Sequence, residues 1–150
     1  MPPAPIAKDV GVGEVAHGDN WKVTSALAQH VQPYLDSLAY RVDTPDGSVI
    51  FTGDTEPCDT VLELARDADM MVCMCWDEQS VMEGNNEHRG QCGTTGAAQM
   101  AQEAGVKQLV LVHMGPTLSK DTPFDRHYEE MSPMYDGKII FSEELMRIEV

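Results

Sequence analysis

Three residues of this chain are of types that do chemistry, and each follows a short apolar run: His30, Asp54 and His113. Imidazole nitrogens bind zinc or iron readily, and a carboxylate can bridge two cations with its two oxygens. Taken singly the signals are weak. A histidine after a strand is ordinarily a satisfied loop or core residue, and an aspartate after a glycine is ordinarily a turn former or helix cap. Their meaning depends on whether the fold brings them to one place.

The elements that must position them read as follows. Trp21, Val23, Ser25 and Leu27 share one face of a strand that ends near His30. Leu38, Tyr40 and Val42 alternate with Ala39, Arg41 and Asp43 in a second strand, and Thr44-Pro45-Asp46-Gly47 is a tight turn into a third, 48–52. The first and third strands flank the second, so both run opposite to it and parallel to each other. His30 and Asp54 therefore end at the same sheet edge. Beyond them the sequence predicts a helix over 57–66, a strand over 70–75, and a polar loop over 77–91. A helix capped by Thr94 or Thr95 then runs to Gly105, followed by a strand over 107–112, a helix over 124–131 and a strand over 138–141, with 146–150 a possible last strand. Right-handed crossovers keep these later strands parallel to the third, which delivers His113 to the same carboxyl edge, where open α/β sheets bind ligands. Gly53 before Asp54 lets the chain turn sharply, and Gly115-Pro116 stops the strand after His113. The expected fold class is α/β, a mixed sheet with flanking helices, with 1–20 as a lead-in loop and 21–150 as the domain.

Composition narrows the function. With 42% hydrophobic and 23% charged residues, 150 residues suit one globular domain. No run is long enough for a membrane span, and the proline-rich start has no apolar signal region, so a cytoplasmic location is expected. Ten Lys and Arg against 25 Asp and Glu give a net charge of -15. Such a surface repels phosphate backbones, so nucleic acid is not the expected partner, although metal ions would reverse the sign locally. The four cysteines form no CxxC pair, which argues against a zinc knuckle or a disulfide framework. Cys73 and Cys75 share a strand face and read as small core residues.

Ser48-Val49-Ile50-Phe51-Thr52-Gly53-Asp54-Thr55 resembles the strand-plus-GDT motif of metallo-β-lactamase-fold hydrolases, in particular their ribonuclease Z-like and arylsulfatase-like branch. His30 before Ser37-Leu38-Ala39-Tyr40-Arg41, the run Leu109-Val110-Leu111-Val112-His113, and Cys92-Gly93-Thr94-Thr95 are similar to further motifs of that branch, in the family's order. The resemblance implies half of an αββα sandwich, two divalent metal ions with zinc the expected metal, and hydrolysis by a metal-bound hydroxide. By resemblance His30 would bind one ion, His113 the other, and Asp54 would bridge them.

The departures from the family are specific. Its HxHxDH motif, which supplies four ligands, does not occur in these 150 residues, so the chain is expected to be a C-terminal half. The expected partners are further copies of the chain, as a homo-oligomer, or a chain supplying the HxHxDH segment. Cys92 stands in place of a "his-ser-thr-thr" histidine, and Cys73-Met74-Cys75-Trp76 in place of "his-glu-ala-thr". The expected substrate is a small ester, lactone, sulfate or phosphate. The alternatives are a non-catalytic half-domain that dimerises and ribonuclease Z-like RNA processing. His88 sits in the loop expected to overhang the edge and is the candidate proton donor, against an ordinary solvated loop histidine. His127, on an amphipathic helix, is expected at the surface, and His17 has no motif around it.

Overall fold

The structure, a computed structural model, describes residues 6–120 and 124–150. One seven-stranded sheet runs in chain order: β1 (Gly13–His17), β2 (Lys22–Ala28), β3 (Ser37–Thr44), β4 (Gly47–Phe51), β5 (Met70–Met74), β6 (Gln108–Val112) and β7 (Lys138–Phe141). The first four pair antiparallel and the last four parallel. Hence β2, β4, β5, β6 and β7 all finish at one edge. Helices α1 (Asp59–Ala65), α2 (Gln79–Asn85), α3 (Thr94–Ala104), α4 (Pro116–Lys120) and α5 (Phe124–Met131) fill the connections.

The core lies between the sheet and these helices. Strand alternation sends Ala28, Ala39, Ile50, Met71, Cys73, Leu109 and Leu111 to one face, where they meet Val61 and Ala65 of α1 and Ala97, Ala98 and Ala101 of α3. The small residues on both sides let helix backbone approach the sheet closely. Arg41 belongs to the same face, and its guanidinium donates to the Leu64 and Arg66 carbonyls, satisfying the otherwise unpaired C-terminal end of α1. The opposite face is also apolar but less covered. Leu38, Tyr40, Val42 and Val49 are half-buried there, and Leu27 and Phe51 are exposed.

Several expectations are corrected. The lead-in contains β1, held by pairing with β2 and by Ser25 Oγ donating to the Gly11 carbonyl at 2.6 Å. Its five residues, with one β-branched side chain, carry little strand signal of their own. The polar loop contains α2, whose buried Met82 anchors about two otherwise largely solvated turns. The α3 N-cap is Gly93, without a side-chain bond, because Thr94 Oγ1 is drawn instead to Glu130 Oε2 at 2.8 Å. Residues 146–150 form no strand; the chain there runs back along the sheet, and the Glu149 carbonyl accepts from Gln108 Nε2. His127 is 1% exposed, not a surface residue, because its side of α5 packs toward Phe141.

The foot of the sheet is tied by one carboxylate. Asp69 Oδ2 accepts from the Ser48 amide at 2.7 Å and hydroxyl at 3.0 Å, while Oδ1 receives Lys107 Nζ at 2.6 Å. These bonds, that of Lys107 foremost, hold the Asp69 carboxyl down at about 2. A depressed carboxylate stabilises the fold above its unfolded value and loses that contribution as pH falls through the folded one. Asp69→Asn is expected to cost on the order of 1 kcal/mol at neutral pH, since solvent screens part of the interaction. The gap from wild type should close as pH falls from about 4 to about 2, as followed by denaturant midpoints. A gap independent of pH would contradict the assignment.

Candidate metal centre

His30, Asp54 and His113 lie just past the ends of β2, β4 and β6, and their side chains face one another. One carboxylate oxygen, Asp54 Oδ2, is 3.5 Å from His113 Nε2 and 4.0 Å from His30 Nε2. All three side chains are partly open to solvent.

His30 is oriented by a chain of bonds. Its Nδ1 lies 2.6 Å from the Gly90 carbonyl, and a carbonyl only accepts, so Nδ1 carries the proton. In the neutral ring Nε2 is left with a lone pair toward Asp54. A ring nitrogen backed by a carbonyl on its far side and set 4.0 Å from a carboxylate oxygen has the orientation of a metal-ligating imidazole. The Gly90 amide in turn donates to Glu56 Oε2 at 2.8 Å, and Glu56 bridges back to Gln29 beside His30. Thr55, fully buried, accepts from the Gln29 amide at 2.9 Å and so ties the Asp54 turn to the end of β2. A Cβ on Gly90 would come against the His30 backbone oxygen, and Gly90 has φ +72°. Only glycine brings the loop this close.

Asp54 is aimed by Gly53, whose φ of +60° puts the turn in the left-handed region. The preceding Thr52 is buried, and its hydroxyl receives the Met74 amide, fixing where the turn begins. His113 itself has φ +54°, unusual for a residue with a side chain. Its ring packs edge to face with that of Trp76, the centroids 5.7 Å apart, and the Gly115 amide donates to the Trp76 carbonyl at 2.8 Å. Strain at His113 is thus held by packing on both sides of the strand end.

The other candidates fall elsewhere. Gly90 and Arg89 overhang the edge and line a cleft of about 530 Å³ beside His30. His88 instead lines a separate cleft with Gln79, Glu83, Gln91 and Gln99. No contact between His88 and the trio is found among the described residues. Cys73, Cys75 and Cys92 are fully buried. Contact with Cys73 and burial push the Cys92 thiol well up, and burial does the same for Cys75, so both stay neutral. His17 is exposed and pairs with Glu14. The residues sequence reasoning missed are Thr55, Glu56 and Gly90. Thr55 left a trace as the last residue of the GDT run, and Gly90 as the glycine near the end of an otherwise polar loop.

Comparison with known proteins places this arrangement. Residues 6–114 match the family model described as a beta-lactamase superfamily domain. Ribonuclease Z of Methanosarcina mazei is 31% identical over 120 residues, covering 71% of this chain and 33% of that protein. Ribonuclease BN of Escherichia coli O1:K1 is 32% identical over 114 residues, covering 76% of this chain and 34% of that protein. The chain thus spans about a third of the length of these relatives. The metallo-beta-lactamase fold protein YhfI from Bacillus subtilis aligns with a TM-score of 0.69 at 19% identity, covering 87% of this chain and 49% of that one. The short form of human tRNase Z aligns with a TM-score of 0.63 at 18% identity, covering 91% and 44%. The expectation that nucleic acid is not a partner is overturned by these ribonucleases. It rested largely on the net charge of the chain, which says little about the local field at any one part of its surface. Nor is any helix among the described residues long and apolar enough to cross a membrane. With the family model spanning most of its length and the sheet matching solved members, the chain belongs to the β-lactamase superfamily and has the metallo-β-lactamase fold.

Proposed function

We propose that this chain carries one side of a metal-dependent hydrolase centre acting on phosphoesters, RNA phosphodiesters included. In this reading His30 and His113 each hold one ion and Asp54 bridges them. The observation that carries it is the shared Asp54 oxygen between two imidazoles, with His30 Nδ1 already committed to Gly90. The donor set fits a borderline divalent ion such as zinc. A bound pair would supply Lewis acidity and lower the pKa of water. The protein's part is to fix the direction of each ligand, which Gly90, Glu56 and Thr55 do for His30 and Asp54, and Trp76 for His113. The phosphoester preference follows the ribonuclease relatives. Small esters, lactones and sulfates are the competing substrates.

Three ligands underfill two metal sites, since a catalytic zinc ordinarily has three protein ligands of its own. We therefore read the chain as a C-terminal half whose remaining ligands come from an HxHxDH segment outside these residues. The apolar sheet face around Leu38, Tyr40, Val42, Val49 and Phe51 is the natural seat for such a partner half, or for a second copy of the chain.

Combining the chain with a segment bearing HxHxDH should raise zinc affinity and hydrolysis of bis(p-nitrophenyl) phosphate together. Asp54→Ala in that assembly should lower turnover by at least about 100-fold, because both ions lose their bridge. A 3′-extended tRNA precursor assayed beside it decides between RNA and small phosphoesters. Full activity of Asp54→Ala would refute the bridging role. A second variant tests the orienting chain: Gly90→Ala should weaken zinc binding by about 10–100-fold while the far-ultraviolet spectrum stays native. Unchanged affinity would show that the Gly90 contact does not set the His30 geometry.

A further inference from the structure

The β5–α2 turn and helix α5 bring together a second set of ligand-type side chains. Glu78, His127 and Glu130 each offer an atom within 4.8 Å of the other two. His127 is 1% exposed and Glu78 8% exposed. The imidazole is the informative member. His127 Nδ1 lies 3.0 Å from Glu78 Oε1 but without the alignment of a hydrogen bond, and neither ring nitrogen has a hydrogen-bond partner among the described residues. Buried polar atoms are nearly always paired, so this one calls for an explanation. Two ligand atoms set side by side rather than pointing at one another are what a shared cation needs.

The surroundings are built in the same sense. Thr94 Oγ1 donates to Glu130 Oε2 at 2.8 Å, fixing one carboxylate. Arg126 Nη2 reaches the outer Glu78 oxygen at 3.1 Å, fixing the other. The spacing of His127 and Glu130 places both on one face of α5. Two carboxylates against one guanidinium make the pocket rich in oxygen donors, a setting that suits a divalent cation.

We propose that Glu78, His127 and Glu130 form a separate site for one divalent cation of the zinc or manganese class, stapling α5 to the turn that follows β5. One histidine and two carboxylates match the ligand preferences of these ions and leave a position for water. The staple would act at short range on the ligand edge, because Glu78 lies two residues beyond Trp76, whose ring packs against His113. None of its ligands belongs to the His30–Asp54–His113 group, so the two sites are separable by mutation.

The test uses metal-stripped chain carrying Asp54→Ala, which removes the shared ligand of the other site. Zinc titration by calorimetry, with elemental analysis after dialysis, should still find about one ion per chain, and zinc should raise the melting temperature. Adding His127→Gln, or the near-isosteric Glu130→Gln, should weaken that binding at least about 100-fold and abolish the thermal shift. Cobalt substituted for zinc should give visible absorption bands that disappear in the same variants. If His127→Gln does not fold, Glu130→Gln decides. The proposal is overturned if the Asp54→Ala chain retains no zinc, or if it retains zinc equally well after Glu130→Gln. It is equally overturned if nitrogen NMR finds His127 as a metal-free imidazolium paired with Glu78 in the presence of zinc.

Discussion

The direction in which each strand leaves the sheet governs this molecule. Two antiparallel reversals separate β2 from β4, and parallel pairing then carries the same direction through β5, β6 and β7. An even number of reversals is what puts His30 and Asp54 at one edge. One reversal more or fewer would separate them by the length of a strand, roughly 17 Å for five residues. Everything at the edge refines a placement that parity has already made.

That refinement comes from short polar links between segments far apart in sequence. Thr55 joins the Asp54 turn to the end of β2, and Gly90 joins the loop before α3 to His30. Both links use backbone groups outside the regular ladders, the Gln29 amide past the end of β2 and the Gly90 carbonyl in a loop, which need partners anyway. The structure thus satisfies its own backbone and orients its ligands with the same bonds. His113 differs, since its left-handed backbone is held by the neighbouring Trp76 and Gly115 rather than by a bond to its ring.

Period-two alternation makes β2, β3 and β4 legible, and strand counting with right-handed crossovers is enough to bring His30, Asp54 and His113 to one edge. What the sequence hid was of two kinds. β1 and α2 have weak intrinsic patterns and exist through pairing and through one buried Met82 respectively. The positioning residues Thr55, Glu56 and Gly90 act through single hydrogen bonds between a side chain and a distant backbone group, which leave no periodic signature. His127 misled for a related reason: an amphipathic pattern gives the width of a helix's buried face but not whether a histidine at its margin falls inside. Net charge misled because it averages over a surface that is not uniform.

The spatial order of the strands has a consequence for how the protein comes to be. Since the sheet order matches the chain order from β1 to β7, every strand after the first meets an edge that its predecessor has just completed. No strand has to be inserted between two others. Such an order permits assembly from the N-terminal strand onward, with the three edge residues joining in the order His30, Asp54, His113. The last of them joins only when β6 docks, so the trio is a product of the whole sheet rather than of its antiparallel half.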